Sequence, residues 1–206
     1  MSGPLVLAPL RIEAAAARVA RPRPEIARIG MGPVAATAAR ARLERELADA
    51  RPLVLIGFAG ALDATLHAGE LVVASSVTSL GRGDVQSLPV ASSAATLLRE
   101  AGVPHRVGEL VSAPRLLRGT KDRETAGMSG ALACDMETFW LAPLARRHPL
   151  IVVRAVVDTV SHDVMSLSTP LSAWRAFRSL VRAVRAITRG TATTLDTYSL
   201  VEAGES

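Results

Sequence analysis

Short unbroken apolar runs alternate along this chain with Ala-rich stretches of helical spacing. Residues 4–10 are apolar throughout, as expected of a parallel strand buried on both faces. Residues 12–19 are Ala-rich and read as helix, and RPRPE at 21–25 is a proline-broken loop. Residues 25–29 predict a second strand ending in Gly30-Met31-Gly32-Pro33, where Pro33 suits a first helical turn. That helix should run through Ala35, Ala39, Leu43 and Leu47 to about Ala50. Strands are then expected at 53–58 and 70–77, joined by a Gly-punctuated loop, with a turn at 81–84. A helix over 91–101 closes on Gly102, a strand follows at 106–112, and 120–128 favours helix. Strands at 131–134 and 150–157 flank a helix over 137–147, and a long helix over 170–189 ends the ordered pattern.

Strands alternating with helices through short loops predict an α/β protein, a three-layer αβα sandwich around a mixed, largely parallel sheet. No repeat or linker divides the chain, so residues 1–190 read as one domain and 191–206 as a frayed tail.

Composition changes this picture little. The 206 residues are 49% hydrophobic and only 3% aromatic, so the core must be Ala, Val and Leu. The net charge of +5 comes with 23 Arg and one Lys, a compositional bias rather than a nucleic-acid footprint. No basic-aromatic interleaving accompanies it, so no nucleic-acid partner is expected. Cys134 stands alone, and His67, His105, His148 and His162 show no ligand spacing, so neither a disulfide framework nor a metal site is expected. No segment approaches the ~20 apolar residues of a membrane span, and the expectation is a cytoplasmic protein.

Candidate chemistry concentrates in residues 133–163. Asp135-Met136-Glu137 closes one apolar run, and the strand 150–157 carries Arg154 and delivers Asp158. Charges beside a buried sheet are costly unless paired or used, and strand ends are where open α/β sheets keep their sites. Simpler readings exist for each: Asp158 as a cap, Glu137 as a first-turn acid favoured by the helix dipole, Asp135 as an N-cap. Arg154 is expected to pair with a carboxylate, and Cys134 to fill a small core position.

LVLAPLRIEAAAAR, IARIGMGPVAATAA, LVLIGFAGALDATLHAGELVVASSV and ACDMETFW with IVVRAVVD resemble, in order and spacing, the nucleoside phosphorylase/nucleosidase superfamily. The nearest branch resembles the methylthioadenosine/S-adenosylhomocysteine nucleosidases, with the futalosine hydrolases and hopanoid-associated phosphorylases. The resemblance spans most of residues 5–160. It implies cleavage of the N-ribosidic bond of a 5′-modified purine nucleoside, with adenine as the base. Asp158 would protonate the departing base and Glu13 would be the general base on water. Glu137 would accept the ribose hydroxyls while Met136 packs on the sugar. Gly30, Gly32 and Gly60 would permit close backbone approach, and, without the family's usual base-stacking aromatic, Phe139 or Phe58 would have to contact the base. No cofactor is implied, inorganic phosphate being a co-substrate only if the cleavage is phosphorolytic. A homodimer is implied.

The chain departs from that family pattern in several places. Ile29 and Phe58 stand where hydroxyls are usual, and Ser112-Ala113-Pro114-Arg115 replaces a base-stacking aromatic. Fewer phosphate-handling groups weaken phosphorolysis, although Arg28 or Arg115 could substitute. A short connection between the first two motifs leaves the 5′ side open. This tilts the expectation towards a large 5′ hydrocarbon, as in adenosylhopane. A degenerate member that binds without cleaving is the non-enzymatic alternative. Arg175, Arg178, Arg182, Arg185 and Arg189 form a basic stripe on the last helix, read either as a solvated face or as a weak membrane-surface contact.

Overall fold

In the computed structural model the backbone is described for residues 3–117, 119–158 and 169–201. Side chains are described for the same set less 119–121, 158, 169 and 192–201. The chain runs β1 (Leu5–Ala8), α1 (Arg11–Val19), β2 (Glu25–Arg28), α2 (Gly32–Glu46), β3 (Leu53–Ala61) and β4 (Leu71–Ser79). It continues through β5 (Val85–Ser87), α3 (Ala91–Glu100), β6 (Arg106–Ser112), α4 (Gly119–Gly127), β7 (Ala133–Asp135) and α5 (Thr138–Leu141). A 3-10 turn (Ala142–Arg146), β8 (Leu150–Asp158) and α6 (Thr169–Val201) complete it.

The strands order as β2-β1-β3-β7-β6-β4-β5, and β8 pairs with both β3 and β4. Strands β3, β8, β4, β6 and β7 therefore close into a ring, with β1 and β2 extending from β3. Among the described residues pairing is mostly parallel, with β3 and β7, β4 and β5, and β4 and β8 running antiparallel.

Alternation along the strands splits the core in two. Leu5, Leu7, Leu53, Leu55, Leu150 and Val152 pack with α2 and α5 residues such as Ala36, Leu43 and Leu141. Val6, Ala8, Val54, Ile56, Ile151 and Val153 pack with Ala14, Ala17, Leu98, Leu180 and Ile187 of α1, α3 and α6. Side chains of a strand alternate between faces, so an all-apolar strand serves two helical layers. The predicted three-layer arrangement is the one observed.

Some boundaries differ from the sequence reading. Strand β3 runs three residues past Phe58, because Gly60 and Ala61 pair with β7. The helix expected over 137–147 is a single α turn followed by 3-10 structure. Pro143 has no N–H to bond the Phe139 carbonyl, which instead accepts from Gln86 Nε2 at 3.1 Å. Strand β5 was not anticipated. Helix α2 stops at Glu46, and α6 continues past Arg189 and Gly190 to Val201, where a frayed tail was expected. Strands β7 and β8 are not direct neighbours: β3 lies between them, with Gly60 opposite both Cys134 and Asp158. No helix among the described residues is long and apolar enough to cross a membrane.

Candidate active site

Strand β8 places Arg154, in phase with Val152 and Val156, on the face covered by α2 and α5. The residue is fully buried. Its Nη2 bonds the Asp135 carboxylate and donates to Thr138 Oγ1 at 3.0 Å and Glu137 Oε2 at 3.3 Å. Such an ion cannot stay charged in an apolar layer without this compensation. Strand β7 supplies Asp135 and the chain turns at once into α5, so one short segment presents Asp135, Glu137 and Thr138 together.

Asp135 is held from all sides. The Ser112 and Thr138 hydroxyls donate to it, as does the Thr138 backbone N–H at 3.1 Å. Ser112 Oγ in turn accepts from the Phe139 N–H at 2.9 Å. Asp135 therefore caps α5 while anchoring Arg154, which is a structural assignment.

Glu137 does something else. Its Oε1 accepts from the Gly32 N–H at 2.9 Å across 105 residues, and its Oε2 faces Arg154. Gly32 has φ +85°, which favours glycine, so the N–H that meets Glu137 depends on that residue type. Burial pushes the Glu137 carboxyl up to about 7 against the pull of Arg154, with Asp135 and Glu13 adding repulsion. An acid held above its unfolded pKa favours folding at low pH and loses that contribution as pH rises. Wild-type stability should therefore fall between the ordinary glutamate range and about pH 7. Denaturant unfolding across pH should show a flatter profile for Glu137→Gln in that window.

Glu13 completes the group. From the first turn of α1 its Oε2 accepts the Leu10 N–H at 2.6 Å, and its Oε1 accepts the Phe58 N–H on β3 at 2.8 Å. It is 2% exposed. Burial raises its pKa, opposed by Arg154 and by these two backbone donors. Gly57 lets the two sides meet. A Cβ there would lie 1.9 Å from Arg154 Nη1 and 3.2 Å from Glu13 Oε1. Three buried acids thus surround one guanidinium, whose Nε and Nη1 have no hydrogen-bond partner among the described residues.

The other expected site residues divide. Met136 reaches Gly32, its Cε 3.7 Å from where a Cβ would stand. Gly30 (φ +76°) opens the same turn, and Gly60 lies between β7 and β8. Phe58 is half-buried and meets Glu13 through its backbone. Phe139 points into the α2/α5 core, edge-on to Trp140, rather than standing free to stack on a base. Asp158 ends β8 beside Gly60, but its side chain lies outside the described residues, as do His162 and Asp163. Arg28 is exposed and Arg115 pairs with Asp122 at 2.8 Å. Ile29 is core. The sequence reading does not single out Gly57 or Thr138, and it places Ser112 in the base-contacting loop rather than against Asp135. Only Gly57 left a signal, a lone glycine inside an apolar strand.

Solved structures that share this fold include three nucleoside-cleaving enzymes. The 5′-methylthioadenosine/S-adenosylhomocysteine nucleosidase of Neisseria meningitidis, in complex with methylthio-immucillin-A, superposes with TM-score 0.78 at 19% identity, covering 92% of this chain and 100% of that one. Futalosine hydrolase of Helicobacter pylori gives 0.77 at 14%, with coverages of 92% and 98%. The corresponding nucleosidase of Campylobacter jejuni gives 0.74 at 15%, with coverages of 92% and 100%. Among curated proteins none matches the chain in sequence. The family description "Phosphorylase superfamily" matches residues 12–185, most of the 206. With that match and the ringed sheet that gathers Glu13, Asp135 and Glu137 around Arg154, the chain belongs to the phosphorylase superfamily.

Proposed function

We propose that this protein cleaves the N-ribosidic bond of a 5′-modified adenine nucleoside, with water as the nucleophile. The observation that carries the proposal is the buried set of Glu13 and Glu137 beside Arg154, two acids with raised pKa facing one paired cation. The C1′–N9 bond breaks with its electron pair leaving on the base, and Asp158 gives that base a proton. Water adds to C1′ and passes its proton to Glu13, whose burial makes it a stronger base than an exposed glutamate. Glu137 accepts the ribose hydroxyls, and Met136 lies beside the sugar. The negative carboxylates stabilise the cationic ribosyl transition state. Solvent then returns the proton from Glu13 to Asp158.

Charge favours water over phosphate. Arg154 is already matched by Asp135 and Glu137, so a phosphate dianion would meet carboxylates with no spare cation in the cluster among the described residues. Arg28 and Arg115 do not join the cluster. The apolar side chains next in sequence to the site, Ile12 and Met31, are 44% and 60% exposed, which suits a large apolar 5′ substituent, a lipid-linked one included. Asp158→Asn is expected to lower adenine release from a 5′-substituted adenosine by about 10² or more. An unchanged rate removes Asp158 from the reaction. Tight analogue binding with no release by either form would mark a binding protein instead.

A further inference from the structure

The geometry points to a docking surface for an anionic lipid bilayer on the outer face of α6. Residues 164–195 contain no Asp or Glu, whereas Arg175, Arg178, Arg182, Arg185 and Arg189 all fall within them. At the α-helical ~100° per residue, these five lie within an arc of about 80°. All five are exposed, while Ala176, Leu180, Ala183, Val184 and Ile187 fix the opposite face in the core. The stripe thus faces away from the sheet.

Its N-terminal end is apolar. Leu171 falls inside the same arc and is 55% exposed, and Trp174 on its flank is 56% exposed, stacked on Phe177 at 5.9 Å. An exposed tryptophan and leucine in line with arginines match a headgroup layer, where the rings enter the interface and the guanidinium groups bind lipid phosphates. Midway along, Arg182 and Ser179 wall a groove of about 250 Å³ with His105, Arg106 and Glu70. The proposal rests on α6 and its neighbours alone and stands or falls apart from the assigned reaction.

The test is co-sedimentation of the full chain with vesicles of phosphatidylcholine alone and of phosphatidylcholine mixed with phosphatidylserine. Binding is expected to the mixed vesicles only and to weaken in high salt. Each arginine near an anionic surface is worth about a five-fold gain in partitioning, so R178A with R185A should cost about 25-fold. That double variant should retain wild-type nucleoside cleavage. Equal binding to both vesicles, binding to neither, or no loss in the double variant would overturn the proposal. Preferential displacement from vesicles by duplex RNA would overturn it too, assigning the stripe to nucleic acid.

Discussion

Replacing Glu13 by Gln is expected to lower kcat by about 10²–10⁴-fold, with little change in KM. Glu13 is held by the Leu10 and Phe58 N–H groups and buried against Arg154, so its carboxylate is oriented and its basicity raised. Gln retains the shape and one oxygen acceptor but cannot take a proton from water. Substrate grip, which the proposed reaction gives to Glu137 and Met136, should survive. A purely structural Glu13 would show the reverse: a lower Tm from the lost acceptor, with turnover intact. Steady-state kinetics beside thermal unfolding separates the two.

Removing the central cation should have the largest effect on stability. Arg154→Met keeps the apolar stem but leaves Asp135, Glu137 and Glu13 buried without a counter-charge. Breaking a buried ion pair from one side costs about 3–5 kcal/mol, which for a chain of this size lowers Tm by roughly 6–20 °C. The loss should be smaller at pH 5 than at pH 8, because Glu137 and Glu13 hold protons more readily than ordinary glutamates. Adding Asp135→Asn should recover part of it, since the strongest partner of Arg154 would then be neutral. Calorimetry at the two pH values reads each of these directions.

Much of the fold was legible because strands and helices here obey separate periods. Runs such as residues 150–157 announce burial on both faces, and Ala-rich stretches with occasional leucines announce helices that pack close. What escaped notice lacked that contrast. Strand β5 is Val-Gln-Ser on an edge, with Val85 62% exposed, so no pattern marks it. Gly60 and Ala61 resemble a loop until β7 arrives to pair with them. Pro143 sits inside the helical apolar spacing of residues 137–147, and its effect on α5 follows from its missing N–H.

The site was legible through its acids and not through what orients them. Glu13 in the first turn of α1, Asp135 at the end of β7 and Glu137 just before α5 lie in the segments that carry the family resemblance. Their cohesion comes from contacts distant in sequence: Gly32 to Glu137, Ser112 to Asp135, Phe58 to Glu13. No local spacing encodes these. Phe139, read as one substitute for the missing base-stacking aromatic, packs in the core beside α2 and α5.

The central claim is that water, not phosphate, attacks a ribosyl centre framed by these acids. The most direct measurement is product identity after reaction of a 5′-substituted adenosine in phosphate-free buffer and again with inorganic phosphate. The account predicts adenine and the free 5′-substituted ribose at equal rates in both. Base release that requires phosphate and yields a ribose 1-phosphate would contradict it.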